Sequence, residues 1–420
     1  MSASELHLVP QRPMSPADAA WLERWLGPAL GIVVRVGGPT STGPSLAYGD
    51  RAFIDAHGVR HGAGAMAVEA SGQDWIAAAC RLRQAGRPAG GPAPEQATID
   101  RGVAALDARL EEIAPDARPR RWPAPYTWAL ALTHDVDAID RWTPAHVAHL
   151  ARHLPERWGD EGVRALARLP WASVRRLWDR PPLGRWLAEC VEIERRHGVR
   201  ATYLFFAPLT RHRRARDGWY GPGSAVDAGV NVAGLWQALD ADGFEIGLHL
   251  SIGAHADAAR IGDEWRSLRA VAPALATYRS HHLSERSGVT LPALASLGAC
   301  VDLNLVADGF AWGSGLPIPV DGAPSLTRLP TVIEDAALEA GGADAGVRAQ
   351  YAARCERLLD EARRTGGLVT ALLHPENPGV VEMVDHLVGW ARRANGWVAP
   401  AGEIAAHWAA RASALSMVTV

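Results

Sequence analysis

Four apolar runs in the second part of the sequence end in side chains that could carry out chemistry. The segments that hold them are THDVD (133–137), GLHLS (247–251), YRSHHL (278–283) and LLHPENPG (372–379). Carboxylates and imidazoles bind zinc and other divalent first-row ions, and they also serve as general bases and acids. If the fold brings these segments together, they predict a metal-dependent hydrolytic site.

Asp135 and Asp137 stand two positions apart at the end of the first run. Residues spaced i, i+2 along a strand point to the same side of the pleat, so both carboxylates would face one site. One could bind a metal ion while the other accepts a proton from water, whose pKa falls beside a metal. The alternative is that they cap the next helix or turn. The histidines at the ends of neighbouring runs favour a site.

A histidine ligand is expected at His249, which ends the apolar run FEIGL (244–248). An isolated histidine in such a place is more often a hydrogen-bonded core residue, but imidazole together with carboxylate suits a divalent ion. A third protein ligand is then needed. His255 could supply it from the following loop, and His281 or His282 could supply it from the end of another strand.

Two further residues suit proton transfer and its control. His374 is followed by Pro375, so a helix cannot begin at once and the ring is expected in an irregular loop. There it could act as a general acid opposite a metal-bound water. Arg279 could orient Asp135 through a charge-assisted hydrogen bond, although an arginine at a strand end is often only a surface cation.

The elements that must position these residues alternate from residue 126 onward. Strands are predicted at 127–135, 200–207, 244–250, 275–281 and 367–374. Helical spacing of apolar residues follows at 183–191 and 232–239. This alternation indicates an α/β fold with a parallel sheet, whose strands end on one face. The pattern alone leaves both a (β/α) barrel and an open doubly wound sheet possible.

The first 120 residues have a different pattern from the rest of the chain, and this pattern predicts a small α+β N-terminal domain. Short β-rich runs are predicted at 31–38, 51–58 and 64–72, and helices at 73–84 and 99–113. The segment PDARPRRWPAP (115–125) is typical of a linker. We therefore predict an N-terminal domain at 1–120 and a catalytic domain at 121–412.

Composition restricts the class of protein. Hydrophobic residues make up 48% and charged residues 21% of the 420 residues, which excludes a disordered chain. The net charge of −3 lacks the basic footprint of a nucleic-acid binder. The four cysteines form no CxxC pair, and we find no secretory signal and no long apolar span. We expect a cytoplasmic protein without nucleic-acid or membrane partners, whose oligomeric state stays open.

Five segments in order resemble the polysaccharide deacetylase family, carbohydrate esterase family four, and more narrowly its divergent THDVD-type branch. They are THDVD (133–137), GVRATYLFF (198–206), GFEIGLHLS (243–251), YRSHHL (278–283) and LLHPENPG (372–379). The resemblance covers residues 121–410. It implies a distorted (β/α) barrel that binds a divalent metal, usually Zn²⁺, and removes acetyl groups from sugars.

The resemblance also implies roles for individual residues. Asp135 matches the catalytic base, Arg279 the arginine that orients it, and His374 the general acid. Asp137 and His249 match metal ligands. The metal would polarise the acetyl carbonyl, while the base activates water and the acid protonates the leaving group.

The sequence departs from the family pattern in two places. Most members carry a second metal-binding histidine where this chain has Gly253, so His281 is favoured as the third ligand, with His255 in reserve. The segment GFAWGSGLPIPVD (309–321) resembles the substrate loop of the branch but lacks an arginine and a cysteine expected there.

We therefore expect a metal-dependent deacetylase, a hydrolase of carbon–nitrogen bonds other than peptide bonds. Its substrate would be an N-acetylated sugar or a related small molecule. The alternatives are a hydrolase of the same fold that acts on a non-sugar C–N bond, and a catalytically inactive barrel that binds a glycan. The role of residues 1–120 stays open.

Overall fold

The fold is taken from a computed structural model. It describes residues 5–11, 14–37, 45–49, 65–69, 75–84, 97–113, 119–137, 185–207, 232–305, 309–310, 314–341 and 344–418. The strand predicted at 51–58 and part of the predicted substrate loop, 311–313, lie outside these residues.

The N-terminal part holds a parallel sheet and helices. Its strands are β1 (Glu5–Pro10), β2 (Val33–Val36), β3 (Ser45–Gly49) and β4 (Ala65–Glu69). Their order is β2-β1-β3-β4, and all of these pairings are parallel. The helices are α1 (Pro16–Leu30), α2 (Trp75–Gln84) and α3 (Thr98–Ile113). The sequence pattern predicted β2, β4, α2 and α3 but not β1, β3 or α1.

The second part contains a large sheet that is parallel except for one pair of strands at its edge. Its strands are β5 (Trp128–Val136), β6 (Thr202–Phe205), β7 (Glu245–Leu250), β8 (Thr277–Ser280), β9 (Val301–Asp302), β10 (Ile318–Pro319), β11 (Thr327–Arg328), β12 (Thr331–Glu334), β13 (Leu368–Leu373) and β14 (Gly396–Ala399). The order is β10-β11-β9-β8-β7-β6-β5-β13-β12, and β14 also pairs with β5. Only β10 and β11 pair antiparallel among these described strands.

Helices follow most of these strands along the chain. They are α4 (Arg185–Arg196), α5 (Val232–Ala241), α6 (Ala258–Arg269), α7 (Thr290–Ser296), α8 (Ala336–Gly341), α9 (Ala345–Thr365), α10 (Val380–Arg393) and α11 (Ala401–Val418). Polar caps fix some of their ends. Asp344, for example, accepts hydrogen bonds from the backbone N–H groups of Gly346 and Val347 to begin α9, and Gly366 ends it at φ 63°. In the described part of the chain, no helix is long and apolar enough to cross a membrane.

Alternate residues of β5 serve two different cores. Leu130 and Leu132 pack outward, in the hydrophobic cluster that lies between the sheet and its helices. Ala129 and Ala131 point the other way, into a cluster that also contains Trp21 and Trp25 of α1. This is the period-2 alternation of a strand buried on both faces.

The large sheet is curled, as the reach of one side chain shows. Arg279 of β8 lies 2.7 Å by Nη1 from Asp135 Oδ1 and 3.5 Å by Nη2 from Thr331 Oγ1, at the start of β12. In the sheet order, β12 is five strands from β8. In a flat sheet this separation would be about 24 Å, far beyond the reach of an arginine. The sheet therefore bends around its inner face.

The bend confirms the predicted fold class, an α/β structure with a barrel-type sheet. Among the described residues no pairing joins β12 to β10, so the sheet forms part of a barrel there.

Helix α1 packs against the inner face of this sheet. The indoles of Trp21 and Trp25 stack at 5.6 Å and donate to the carbonyl oxygens of Pro319 (3.2 Å) and Pro317 (3.1 Å). The N-terminal part thus shares a hydrophobic core with the barrel. The domain boundary at residue 120 stays a prediction.

Candidate active site

The residues singled out in the sequence meet at the carboxyl ends of the parallel strands. Asp135 lies in β5 and Asp137 directly follows it, His249 lies in β7, and Arg279 lies in β8. His281 and His374 directly follow β8 and β13. The ends of parallel strands lie on one face of such a sheet, so their side chains converge. Their polar atoms come within about 3 Å of each other in several pairs, such as Asp137 with His249 and Asp135 with Arg279.

Asp137, His249 and His281 form a group that could hold a metal ion. Asp137 Oδ1 lies 3.1 Å from His249 Nε2 and 3.5 Å from His281 Nδ1. The two ring nitrogens are 3.1 Å apart. Within the described part of the chain, this is the one group of at least three His, Cys, Asp or Glu side chains whose ligating atoms lie within 4.8 Å of each other.

The hydrogen bonding of His249 prepares it to be a ligand. Its Nδ1 lies 3.1 Å from the carbonyl oxygen of Arg279, which can only accept, so Nδ1 carries the proton. Nε2, the ring nitrogen that remains to bind a metal ion, faces Asp137 and His281. This second hydrogen bond is the usual way in which a protein fixes the tautomer of a ligating histidine.

The donor set fits a divalent ion of the zinc type. One carboxylate and two imidazoles, with a free coordination position, make up a common catalytic metal site. The pKa of Asp137 is well below its usual range, because hydrogen bonds from His249 and His281 and their charges outweigh burial, which raises it. An ionised carboxylate is the form that a metal ion requires.

The other histidines considered for the third position are not part of this group, although the ring of His282 lies 4.2 Å from that of His281. His282 adopts the left-handed region, at φ 57°, and its side chain is exposed, whereas that of His281 is buried. His255 lies in the turn Ala254–Ala256, outside the cluster. Gly253, at the position where the family pattern has a histidine, has a φ of 78°, which favours glycine.

Arg279 is fully buried and its contacts fix Asp135. Beyond the 2.7 Å bond to Asp135 Oδ1, its Nη2 donates to Thr133 Oγ1 at 2.9 Å and its Nε to the carbonyl oxygen of Leu303 at 3.2 Å. Asp135 Oδ2 is on the side of the metal-binding group, 3.9 Å from His249 Nε2. The alternative of a surface cation is therefore wrong for Arg279.

These contacts keep Asp135 ionised. Burial raises its pKa, but the charge of Arg279, followed by those of His249 and His374, outweighs burial and brings the pKa below the ordinary value. A carboxylate that remains ionised at neutral pH and has one oxygen facing the metal-binding group can accept a proton from water there.

His374 lies across from Asp135 and is held by a residue that sequence reasoning missed. Its Nδ1 lies 2.7 Å from Asp335 Oδ1, and its backbone N–H donates to Asp335 Oδ2 at 2.8 Å. Asn377 Nδ2 donates to the same Oδ2 at 3.2 Å. Nε2 of His374 lies 3.9 Å from Asp137 Oδ2, so it faces the metal-binding group.

Asp335 also controls the protonation of His374. Burial lowers the pKa of the imidazole, but the charge of Asp335 and its hydrogen bond raise it well above the ordinary value. The ring is therefore a proton donor at neutral pH. Asp335 directly follows β12, a strand of four residues that the sequence pattern did not predict, so the strand-end rule did not point to it.

One aromatic side chain, Phe206, lies next to the metal-binding group. The ring of Phe206 lies 4.7 Å from that of His249 and 5.6 Å from that of His281, measured between centroids. Phe206 directly follows β6 and is buried. Its ring thus lies against both imidazoles of the metal-binding group.

Comparisons with known proteins give matches among solved structures. No protein-family model matches the chain, and no curated protein does. A Mycobacterium smegmatis protein assigned to the polysaccharide deacetylases matches at 19% identity and a TM-score of 0.45, over 69% of this chain and 93% of that one.

Two further structures are similar to parts of the chain. The polysaccharide deacetylase of Bacillus cereus matches at 11% identity and a TM-score of 0.36, over 65% of this chain and 91% of its own. The chitin deacetylase of the fungus Colletotrichum lindemuthianum matches at 14% identity and a TM-score of 0.37, over 67% and 88%. These solved structures are of polysaccharide and chitin deacetylases, the family that the five sequence motifs resemble.

Proposed function

We propose that the chain is a metal-dependent deacetylase that hydrolyses the amide bond of an N-acetylated sugar or a related small molecule. The observation that carries this proposal is the arrangement of three groups around one point. The first group is Asp135, which the buried Arg279 holds in place. The second is the set of three side chains that could bind a metal ion, and the third is His374, which Asp335 holds in place. Amide hydrolysis needs a base, an electrophile and an acid in this relation.

Asp137, His249 and His281 would hold the ion. A divalent ion bound by them, with Zn²⁺ the first choice for two imidazoles and a carboxylate, would polarise the acyl carbonyl and lower the pKa of water. Asp137 holds an ionised oxygen toward both rings.

Asp135 is the proposed base. Its Oδ1 is occupied by Arg279, so the proton of the attacking water goes to Oδ2, on the side of the metal-binding group. Arg279 is itself held by Thr133 and by the carbonyl oxygen of Leu303, so it fixes the orientation of the carboxylate during the reaction.

His374 is the proposed acid. An amine leaves from a tetrahedral carbon only after its nitrogen is protonated, and Nε2 of His374 faces the site while Nδ1 is held by Asp335. Asp335 keeps the ring charged and fixes which nitrogen faces the substrate. The base and the acid thus remain separate groups, each with its own buried partner.

The test begins with metal content and acetate release. Protein purified without a chelator is expected to carry about one equivalent of a divalent ion, and to release acetate from a panel of N-acetylated mono- and oligosaccharides. Asp135→Asn keeps the shape of the proposed base but cannot accept the proton, so the metal should stay and acetate release should be lost.

Other outcomes separate the alternatives. Turnover of N-acyl amines without a sugar, with none of the saccharides cleaved, would favour a hydrolase of another C–N bond. Metal and glycan binding without any turnover would favour an inactive binding barrel. A chain that neither contains metal nor takes it up when supplied would contradict the proposal.

A further inference from the structure

A buried polar network lies on the outer face of β5, directly behind the proposed base. His134, Glu194 and Tyr203 are each fully buried. Tyr203 Oη donates to Glu194 Oε2 at 2.7 Å, and His134 Nε2 lies 2.7 Å from Glu194 Oε1. The rings of His134 and Tyr203 stack with centroids 4.5 Å apart. Each carboxylate oxygen therefore has its own partner.

The surroundings of this network are apolar. Leu132, Cys190 and Phe205 of the outer hydrophobic cluster flank it along the same elements, and the ring of Phe244 lies 5.8 Å from that of Tyr203. Burial of polar groups is unfavourable unless all of them are paired. Replacement of a buried polar pair by well-packed apolar side chains is often neutral or stabilising. Stability alone therefore gives no reason for three polar groups here.

The position of the network gives such a reason. It joins three elements, since His134 lies in β5, Tyr203 in β6 and Glu194 in α4. His134 and Tyr203 are direct partners in the parallel register of β5 and β6. Hydrogen bonds have fixed directions, whereas apolar contacts tolerate sliding and rotation.

The same short stretch of β5 is held from its inner face. Thr133 Oγ1 donates to the carbonyl oxygen of Ala371 at 2.5 Å and accepts from Arg279. His134 is thus the outward counterpart of Thr133, and the next residue is Asp135. A shift of the strand at residue 134 would move the carboxylates of Asp135 and Asp137 together.

We propose that His134, Glu194 and Tyr203 are positioning residues that hold the carboxyl end of β5, and with it Asp135 and Asp137, in the geometry that the site requires. This inference rests on the proposed function, because it assigns the network to the metal site and the base. None of the three touches the reacting atoms. They act through the backbone of β5.

The test measures the metal site independently of turnover. In the full chain, His134→Phe, Glu194→Leu and Tyr203→Phe combined replace all three buried polar groups by apolar side chains. Co²⁺ titration of the metal-depleted protein reports affinity, and its visible absorption bands report ligand geometry. We expect an unfolding temperature equal to or above that of the wild type, with Co²⁺ binding at least tenfold weaker and altered bands. Acetate release should fall at saturating substrate.

Two further variants complete the comparison. Tyr203→Phe alone removes a single hydrogen bond and should shift the Co²⁺ spectrum in the same direction by less. It tests the inference if the triple variant does not fold. Leu132→Val alters the outward packing of β5 two residues earlier, and should lower the unfolding temperature with an unchanged Co²⁺ spectrum.

The outcomes distinguish this inference from the proposed function. If the wild type binds Co²⁺ and the folded network variants bind it with the same affinity and the same spectrum, the positioning role alone is overturned. Wild type that binds no Co²⁺ would overturn the metal site and this inference with it.

Discussion

The guanidinium of Arg279 and the carboxylate of Asp135 are in contact at 2.7 Å although their strands, β8 and β5, are separated by two others. Both side chains are buried. The contact exists only because the sheet curls, so it joins the architecture of the barrel to the protonation state of the proposed base. Much of the chemistry of the site depends on this one pair.

Replacement of Arg279 by Met should raise the pKa of Asp135, because burial raises it and the arginine is the main opposing charge. The base must be ionised to work, so the acid limb of the activity profile should move to higher pH. Loss of one partner of a buried pair should also cost about 3–5 kcal/mol of unfolding free energy. The measurements are the pH dependence of kcat/KM and urea unfolding.

Asp135→Asn is the matched control for this variant. It removes the carboxylate instead of its partner, so it should abolish turnover at every pH and not shift the profile. If Arg279→Met keeps the wild-type acid limb, Arg279 does not set the ionisation of Asp135.

Metal binding should depend on the side chains of Asp137, His249 and His281 and not on the two other histidines considered, His282 and His255. Asp137→Ala, His249→Ala and His281→Ala each remove a proposed ligand and should lower metal content well below one equivalent. His282→Ala and His255→Ala are the controls, because the first side chain is exposed and the second lies outside the cluster.

Elemental analysis of the five purified variants measures this directly. Retention of metal in His281→Ala together with its loss in His255→Ala would assign the third ligand to the reserve candidate. Added chelator should remove activity from the wild type, and Zn²⁺ should restore it.

Asp335→Asn should change the basic limb of the activity profile. The charge of Asp335 opposes the effect of burial and raises the pKa of His374. Without that charge the pKa falls, so the acid loses its proton at lower pH and activity declines earlier as pH rises. The measurement is kcat against pH at full metal loading, and a basic limb identical to that of the wild type would contradict the role of Asp335.

Sequence reasoning singled out residues that the structure brings together because they lie at strand ends. Asp135, Asp137, His249, Arg279 and His374 each end or directly follow an apolar run, and parallel strands bring such ends to one face. The period-2 rule also predicted correctly that the two aspartates face the same side. The structure adds the distances that distinguish the proposed metal ligands, Asp137, His249 and His281, from the proposed acid, His374.

Other parts could not be obtained in this way. Asp335 follows a strand of only four residues, and its partner His374 is 39 positions away, so the carboxylate is indistinguishable from a helix cap in sequence. The choice between His281 and His282 depends on one left-handed residue at φ 57°. Helix α1 was not predicted, although Ser15 caps it and its buried residues between Trp21 and Leu30 recur at helical spacing.

A carboxylate far from the site should make the stability of the chain depend on pH. Asp100 of α3 is buried against the segment Ser314–Leu316, and its Oδ2 accepts the backbone N–H of Gly315 at 3.0 Å. Burial raises its pKa from 3.8 to about 6, although hydrogen bonds from Ser314 and Gly315 oppose this. The folded state therefore binds the proton more tightly than the unfolded state does.

The sign of the effect follows from linkage. Below pH 3.8 the carboxyl is protonated in both states, so its stabilising contribution is complete. As pH rises to about 6 the unfolded state loses the proton first, and the free energy of unfolding falls by about 3 kcal/mol in total. Urea unfolding of the wild type and of Asp100→Asn at pH 4 and pH 7 measures this. The change between the two pH values should be smaller in Asp100→Asn by about 2.5 kcal/mol, because the unfolded carboxyl is already more than half ionised at pH 4. Equal changes in both proteins would mean that Asp100 is ionised in the fold across this range, stabilised by the donors at Ser314 and Gly315 more strongly than burial opposes it.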